Sequence, residues 1–264
     1  GAGVIEVSPV AATVENDVKA TTTASLTGNF DVKGKVSVDA IRTNSLDLIA
    51  DAGGAKLVGA SGTKVVSNIH DVTTTVDIND ATIESGAELQ LKAENITDGT
   101  KKILITTGHG LQLIAQDDGS VNNTVSTNAT VNIDNSKLYG QKGMDIIAHT
   151  DNLIKLSSYS YGQALIAGGG CNNIINKITA EDNVNISGAS TEIKNYANDR
   201  DLVISAADDQ DIRAYSYADT AYGAIGVATA SATNTITRNA KIDVTGGKLY
   251  SYRDINYNAG KTAE

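Results

Sequence analysis

The 264-residue chain holds one Pro, one Cys, one Met, one Phe and no Trp. One cysteine, Cys171, excludes a disulfide framework and any zinc site built on cysteine. The shortage of large side chains excludes a wide aromatic core, because the hydrophobic 41% is mostly Ala, Val and Ile. A single proline suits a sheet with few free edges, since proline cannot donate to the ladder. Basic residues are outnumbered, and the net charge of −10 argues against nucleic acid or anionic lipid as partner. No apolar run reaches the roughly 20 residues of a membrane span, so no direct membrane insertion is expected. The chain opens Gly1-Ala2-Gly3 without a basic leader, and we read it as a segment of something longer.

What is present is a repeat. A Gly followed by a short apolar run recurs at Gly54-Ala55-Lys56-Leu57-Val58, Gly110-Leu111-Gln112-Leu113-Ile114, Gly162-Gln163-Ala164-Leu165-Ile166 and Gly223-Ala224-Ile225-Gly226-Val227. An Asn stands a short and similar way downstream of each Gly: Asn68, Asn123, Asn173 and Asn234. A β-type segment comes next: Val76-Asp77-Ile78, Val131-Asn132-Ile133, Val184-Asn185-Ile186 and Ile242-Asp243-Val244. A fainter first copy begins at Gly3-Val4-Ile5. The copies run approximately 3–53, 54–109, 110–161, 162–222 and 223–264, a period of about 50 to 60 residues. Within each copy apolar and polar residues alternate, the signature of strands with one buried face. No helical stripe is found.

Short strands between Gly, Asn, Asp and Ser clusters fit a sandwich, barrel, propeller or solenoid. Drifting copy lengths, the near absence of Pro and small inward residues favour the solenoid. At about 20 residues per coil the chain makes roughly 13 coils, a rod on the order of 60 Å long. The repeated Asn then has two structural readings. Stacked amides can hydrogen-bond from coil to coil, or each Asn permits a tight left-handed turn.

These repeats resemble those of giant bacterial surface adhesins: filamentous-haemagglutinin-like proteins, autotransporter passengers and leukotoxin-type filamentous adhesins. The likeness rests on Gly162 to Ile186, with Asn172-Asn173, and on Gly110 to Ile133, with Asn122-Asn123-Thr124-Val125. The resemblance implies a right-handed parallel β-helix, a secreted product on the bacterial cell surface and an outer-membrane-anchored parent adhesin. It implies a host-cell or surface receptor, glycan or protein, as partner.

Parallel β-helices also carry polysaccharide lyases and hydrolases, which use carboxylates and basic residues projecting from neighbouring coils. Asp117-Asp118 and Asp208-Asp209-Gln210-Asp211 are the acidic clusters, and both read as turn residues. Arg200-Asp201 and Arg253-Asp254 are adjacent on the chain, so within a strand their side chains face opposite sides. His70, His109 and His149 are never paired, so no metal or other cofactor is expected. Cys171 follows Gly168-Gly169-Gly170 with no His near it and reads as a small inward hydrophobe. Thr21-Thr22-Thr23 and Thr73-Thr74-Thr75 raise an ice-binding solenoid, but Thr-x-Thr recurs too rarely.

All 10 tyrosines lie at or after Tyr139. Tyr159-Ser160-Tyr161, Tyr215-Ser216-Tyr217 and Tyr250-Ser251-Tyr252 each place two rings on one strand face. Facing out, they form an aromatic stripe suited to sugars or a protein partner. Facing in, they fill a wider core, and stacked between coils they stiffen it. The expectation is a non-catalytic adhesin segment with its binding surface among these tyrosines.

Overall fold

The computed structural model describes residues 10–53, 56–98, 103–108, 112–162, 164–220 and 225–261. Among them the chain is strand and turn, with no helix. It runs through five similar passes. The first holds β1 (Val10–Val32), β2 (Val36–Ser45) and β3 (Leu48–Ala52), and the second β4 (Lys56–Ser85), β5 (Leu89–Asp98) and β6 (Ile103–Thr107). The third holds β7 (Gln112–Asp134), β8 (Lys137–Gly140) and β9 (Met144–Tyr161). The fourth holds β10 (Ala164–Ser187), β11 (Glu192–Asn195) and β12 (Leu202–Asp219), and the fifth β13 (Ile225–Thr245), β14 (Lys248–Ser251) and β15 (Ile255–Lys261).

Every strand pairing is parallel. One sheet stacks β1-β4-β7-β10-β13, and the end of β4 continues into β8-β11-β14. The other stacks β2-β5-β9-β12-β15, with β3 on β6 and β6 on β9. This all-β, parallel arrangement is consistent with a β-solenoid.

The register corrects the expected coil. Hydrogen-bonded neighbours lie a full repeat apart along the chain, Val10 beside Ser61 and Met144 beside Leu202. One tier therefore consumes a whole repeat, and the described residues make five tiers rather than 13 short coils. The strands are long, 30 residues in β4 and 18 in β9. The Asn and Asp clusters that read as turns, Asn122-Asn123, Asp117-Asp118 and Asp208-Asp209-Gln210-Asp211 among them, lie inside these strands as alternating inward and outward residues. At about 4.8 Å per tier the stack is roughly 20 Å deep along its axis, much less than its strands are long. True bends are few. Asp71, Asp80 and Asn135 adopt left-handed φ of 51°, 47° and 47°, and Gly188 takes 89° at the place corresponding to Asn135.

The two sheets face each other across a shared interior. Thr150 on β9 donates to Asp182 on β10 (2.8 Å), and Ser158 on β9 donates to Asn172 on β10 (2.8 Å). Strict alternation of buried and half-buried residues along β9 turns one face of the strand inward. The buried apolar residues form two blocks. One gathers Val76, Ile78, Ile83, Leu89 and Leu91 with their counterparts in other tiers, and the other gathers Val65, Ile69, Val72, Ile103 and Ile105 with theirs. Burying such a side chain contributes about 1.5 to 3 kcal/mol.

An inward amide ladder runs through the second block's sheet. Asn123 donates to Asn176 (2.8 Å), and Asn176 donates to Asn234 (3.1 Å), each pair one tier apart. Of the repeat asparagines expected from sequence, Asn123 and Asn234 belong to this ladder. Asn68 lies one residue out of register, opposite Thr124, and donates outward to Asp17 (3.0 Å). Asn173 lies opposite Ser120 and accepts from exposed Ser231 (2.8 Å). An odd-numbered slip moves a side chain to the other face, so neither can join the stack.

This ladder generates a stability prediction. Asn176→Ala leaves the buried Asn123 amide without its acceptor, while exposed Asn234 can turn to water, and is expected to cost about 2 kcal/mol, because a buried orphan group keeps its desolvation penalty. Asn173→Ala is expected to cost under about 0.5 kcal/mol. Urea denaturation of the two variants beside the parent protein checks the difference, and equal losses would refute the ladder.

Candidate functional site

The paired tyrosines face out. Strand parity fixes this: Ser158 and Ser160 are buried, so Tyr159 and Tyr161 project from the outer face of β9. On β12 Tyr215 and Tyr217 are 53% and 38% exposed. The two pairs are offset by one alternate position, with Tyr217 beside Tyr159 and Tyr215 beside Ser157. Within each strand the rings are nearly parallel, 6.4 Å apart at 2° for Tyr159–Tyr161 and 6.5 Å at 5° for Tyr215–Tyr217. Across tiers the rings lean diagonally, with Tyr159–Tyr215 at 5.6 Å and Tyr161–Tyr217 at 6.1 Å. The result is a short aromatic groove with two walls of two rings. The Tyr217 hydroxyl donates to Asp219 (3.1 Å), and that bond raises the pKa of the hydroxyl.

A second cluster lies on the outer face near the bend that leads into the other sheet. Tyr250 and Tyr252 meet edge-on at 5.5 Å, and Tyr252 continues to Tyr196 (5.7 Å), which in turn meets Tyr139 (6.4 Å). The Lys194 ammonium sits 5.6 Å from the Tyr139 ring centroid and pairs with Glu192, which also accepts from the Tyr139 hydroxyl (2.9 Å). Tyr139 and Tyr196 were not singled out in the sequence because neither has a tyrosine two residues away. Their spacing of one tier from Tyr139 to Tyr196 and one more to Tyr252 is the signal that finds them.

A third feature joins three tiers. His149 on β9 contacts Glu94 on β5 through Nδ1 (3.2 Å) and Asp209 on β12 through Nε2 (3.3 Å). Lys92 also reaches Glu94 (2.8 Å). Lys92, Glu94 and His149 border a shallow cleft of about 390 Å³ whose lining also includes Val203, Ser205 and Asn258. The Glu94 hydrogen bond holds His149 above its usual pKa, and the reciprocal bond holds Glu94 below its own. The sequence concealed this cluster because its three residues come from three different repeats.

The acidic pairs are not turn residues. Asp208 on β12 points inward, 2% exposed, and takes a hydrogen bond from Arg238 Nε (2.6 Å). Asp117 on β7 is fully buried, while Asp118 beside it faces out and accepts from Gln116 (3.4 Å). Burial pushes the Asp117 carboxyl up to about 6 and the Asp182 carboxyl up to about 8. Arg253 pairs across tiers with Asp201 (3.1 Å), and Arg200 with Glu88 and Asp145.

Cys171 is exposed, contrary to the inward reading. The buried neighbour Asn172 occupies the inward position, which turns Cys171 out beside Asp118 and Thr229. His70 contacts Asp71 (3.2 Å) and Asp17 (3.0 Å) at the surface, and His109 falls outside the described residues. Among the described residues no group of three or more His, Cys, Asp or Glu is placed to hold a metal ion.

The shifted groups give stability a definite pH slope. Folded Asp182 keeps its proton to about pH 8, whereas an unfolded Asp releases it near 3.8, so stability falls as pH rises between those values. His149 acts in the same sense, since its charged form is favoured by folding and is lost above its raised pKa. Glu94 opposes only below its usual 4.5. Thermal unfolding is therefore expected at higher temperature at pH 5 than at pH 8.5, and Asp182→Asn is expected to flatten much of the decline. A midpoint that rises with pH in this window would contradict the assignment. No protein-family model, curated protein or solved structure matches the chain.

Proposed function

We propose that the chain is a non-catalytic segment of a secreted bacterial surface adhesin, built as a right-handed parallel β-helix in which each coil takes one repeat. Its work is mechanical and multivalent: stacked tiers hold outward surfaces at fixed spacing along the axis. The outward aromatic groove of Tyr159, Tyr161, Tyr215 and Tyr217 carries this reading. Exposed rings cost solvation that a purely structural face avoids, and they suit contact with a host glycan or protein receptor. Tyr250 and Tyr252, with Tyr139 and Tyr196, supply a second such surface. The acidic exterior keeps the segment soluble.

A polysaccharide-degrading enzyme is the second reading, favoured by one observation. Glu94 and Asp209 project from nonadjacent tiers onto the outer face around His149, the kind of carboxylate arrangement such enzymes use. The three groups bond to one another, which leaves no free acid/base pair aimed into the cleft. Asp208, buried and bound to Arg238, serves the interior instead.

Two measurements separate the readings. Binding to host cells or a glycan array is expected to fall at least tenfold in Tyr215→Ala/Tyr217→Ala, with circular dichroism unchanged because both rings lie on the surface. Incubation with pectins, glucans and glycosaminoglycans is expected to release no reducing or unsaturated ends. Turnover abolished by His149→Ala would replace the adhesin reading with the enzymatic one.

A further inference from the structure

The two apolar blocks do not meet. Between them the inward positions of one sheet are polar, and those of the other mix polar residues with Val and Ala. On one sheet the column Asn95–Thr150–Asp208 is followed, one inward position on, by Thr97–Asn152–Gln210. On the other sheet, Val72–Thr127–Ala180–Arg238 lies beside Thr74–Ala129–Asp182–Ala240. The columns face each other, because Thr150 bonds to Asp182 (2.8 Å) and Asp208 to Arg238 (2.6 Å) across the interior.

Among the described residues, Asn44 Nδ2 and Gln210 Oε1 of this zone have no protein partner, and neither do buried side-chain atoms of six more deeply buried residues. The six are Thr74, Asn95, Thr97, Thr127, Asn152 and Asp182, all 2% exposed or less. Both polar atoms of Asn95 and of Asn152 are unpartnered, as is Asp182 Oδ2. The six residues come from three successive tiers, so the orphan atoms follow the stacking axis. A dry interior with so many orphan groups carries a penalty comparable to the net stability of a typical domain. Guanidinium groups close the zone at either end. Arg42 Nε donates to Asn44 (3.2 Å) in the first tier, and Arg238 binds the side chain and backbone oxygen of Asp208 near the last.

We propose that this zone is an internal water-binding site: a hydrated seam along the stacking axis between the two apolar blocks. About three to four ordered waters bridge the orphan atoms, since a buried water makes two to four hydrogen bonds to polar groups. The apolar blocks confine the waters on two sides and the two arginines at the ends. Asn, Thr and Asp are suited to this position, because each offers a short polar side chain that leaves room for a water. The seam also accounts for tolerance of Asp182 in the interior, whose free carboxyl oxygen faces water rather than hydrocarbon.

Water ¹⁷O magnetic relaxation dispersion on the native protein is expected to report about three or more long-lived waters. The variant Asn95→Leu/Thr97→Val/Asn152→Leu is expected to lose most of that signal. A crystal structure is expected to show oxygen-sized density between β5–β9 and the facing strands. Should the triple variant not fold, Thr97→Val alone decides the matter beside the native count. If its hydroxyl bonds water, the substitution lowers the urea midpoint; if the hydroxyl is dry, the isosteric methyl raises it. No long-lived water in the native protein, a raised midpoint in Thr97→Val, or density refined as a metal ion would each overturn the proposal.

Discussion

The backbone of each interior tier is satisfied by the tiers on either side, a full repeat away along the chain, and the remaining features follow from that condition. Parallel stacking in continuous register places like positions in columns, so a side chain is judged by its neighbours above and below before anything else. Val131 sits between Val76 and Val184, and Ile133 between Ile78 and Ile186. An amide in such a column gains a partner on each side, as Asn176 does between Asn123 and Asn234. The inward charge of Asp208 finds its partner across the interior, in Arg238, whereas outward charges such as Glu94 and His149 pair along the column. The contacts are almost all distant in sequence, so the stack has little local structure to fall back on if a tier is lost.

Much of this was readable in the chain. Alternation marked the strands, and the period of about 50 to 60 residues matches the tier spacing. What misled was the polar content of the interior. A strand buried beside a polar zone does not read as a continuous apolar–polar alternation, so Asp117-Asp118 and Asp208-Asp209-Gln210-Asp211 imitate turns and divide one long strand into several short ones. The expectation of short coils came from that division. Parity was the second limit. Asn173 and Asn176 differ by three positions and hence by a face, and only the register with Asn123 distinguishes them. The direction of the tyrosine pairs was undecidable for the same reason, because spacing shows that two rings share a face but not which face it is. The cluster of Glu94, His149 and Asp209 needed three registers at once.

The position of the aromatic residues follows from the distance between the sheets. Two β-sheets packed face to face lie about 10 Å apart, and Val, Ile, Leu, Ala, Thr and Asn fill that gap when paired across it. An additional large ring inside would force the sheets apart locally, and because the tiers are hydrogen-bonded to one another the distortion would spread along the stack. The interior rings respect this limit. Phe30 packs on the first block from β1, where only one described tier lies against it, and Tyr257 falls in the inward column of Ile204 in the last described tier, 53% exposed. The paired tyrosines occupy the outer faces, where ring size meets no such restriction. The same geometry that keeps large residues out of the core thus makes the exterior the place for a recognition surface, and column stacking turns two neighbouring Tyr-Ser-Tyr strands into a groove rather than four separate rings.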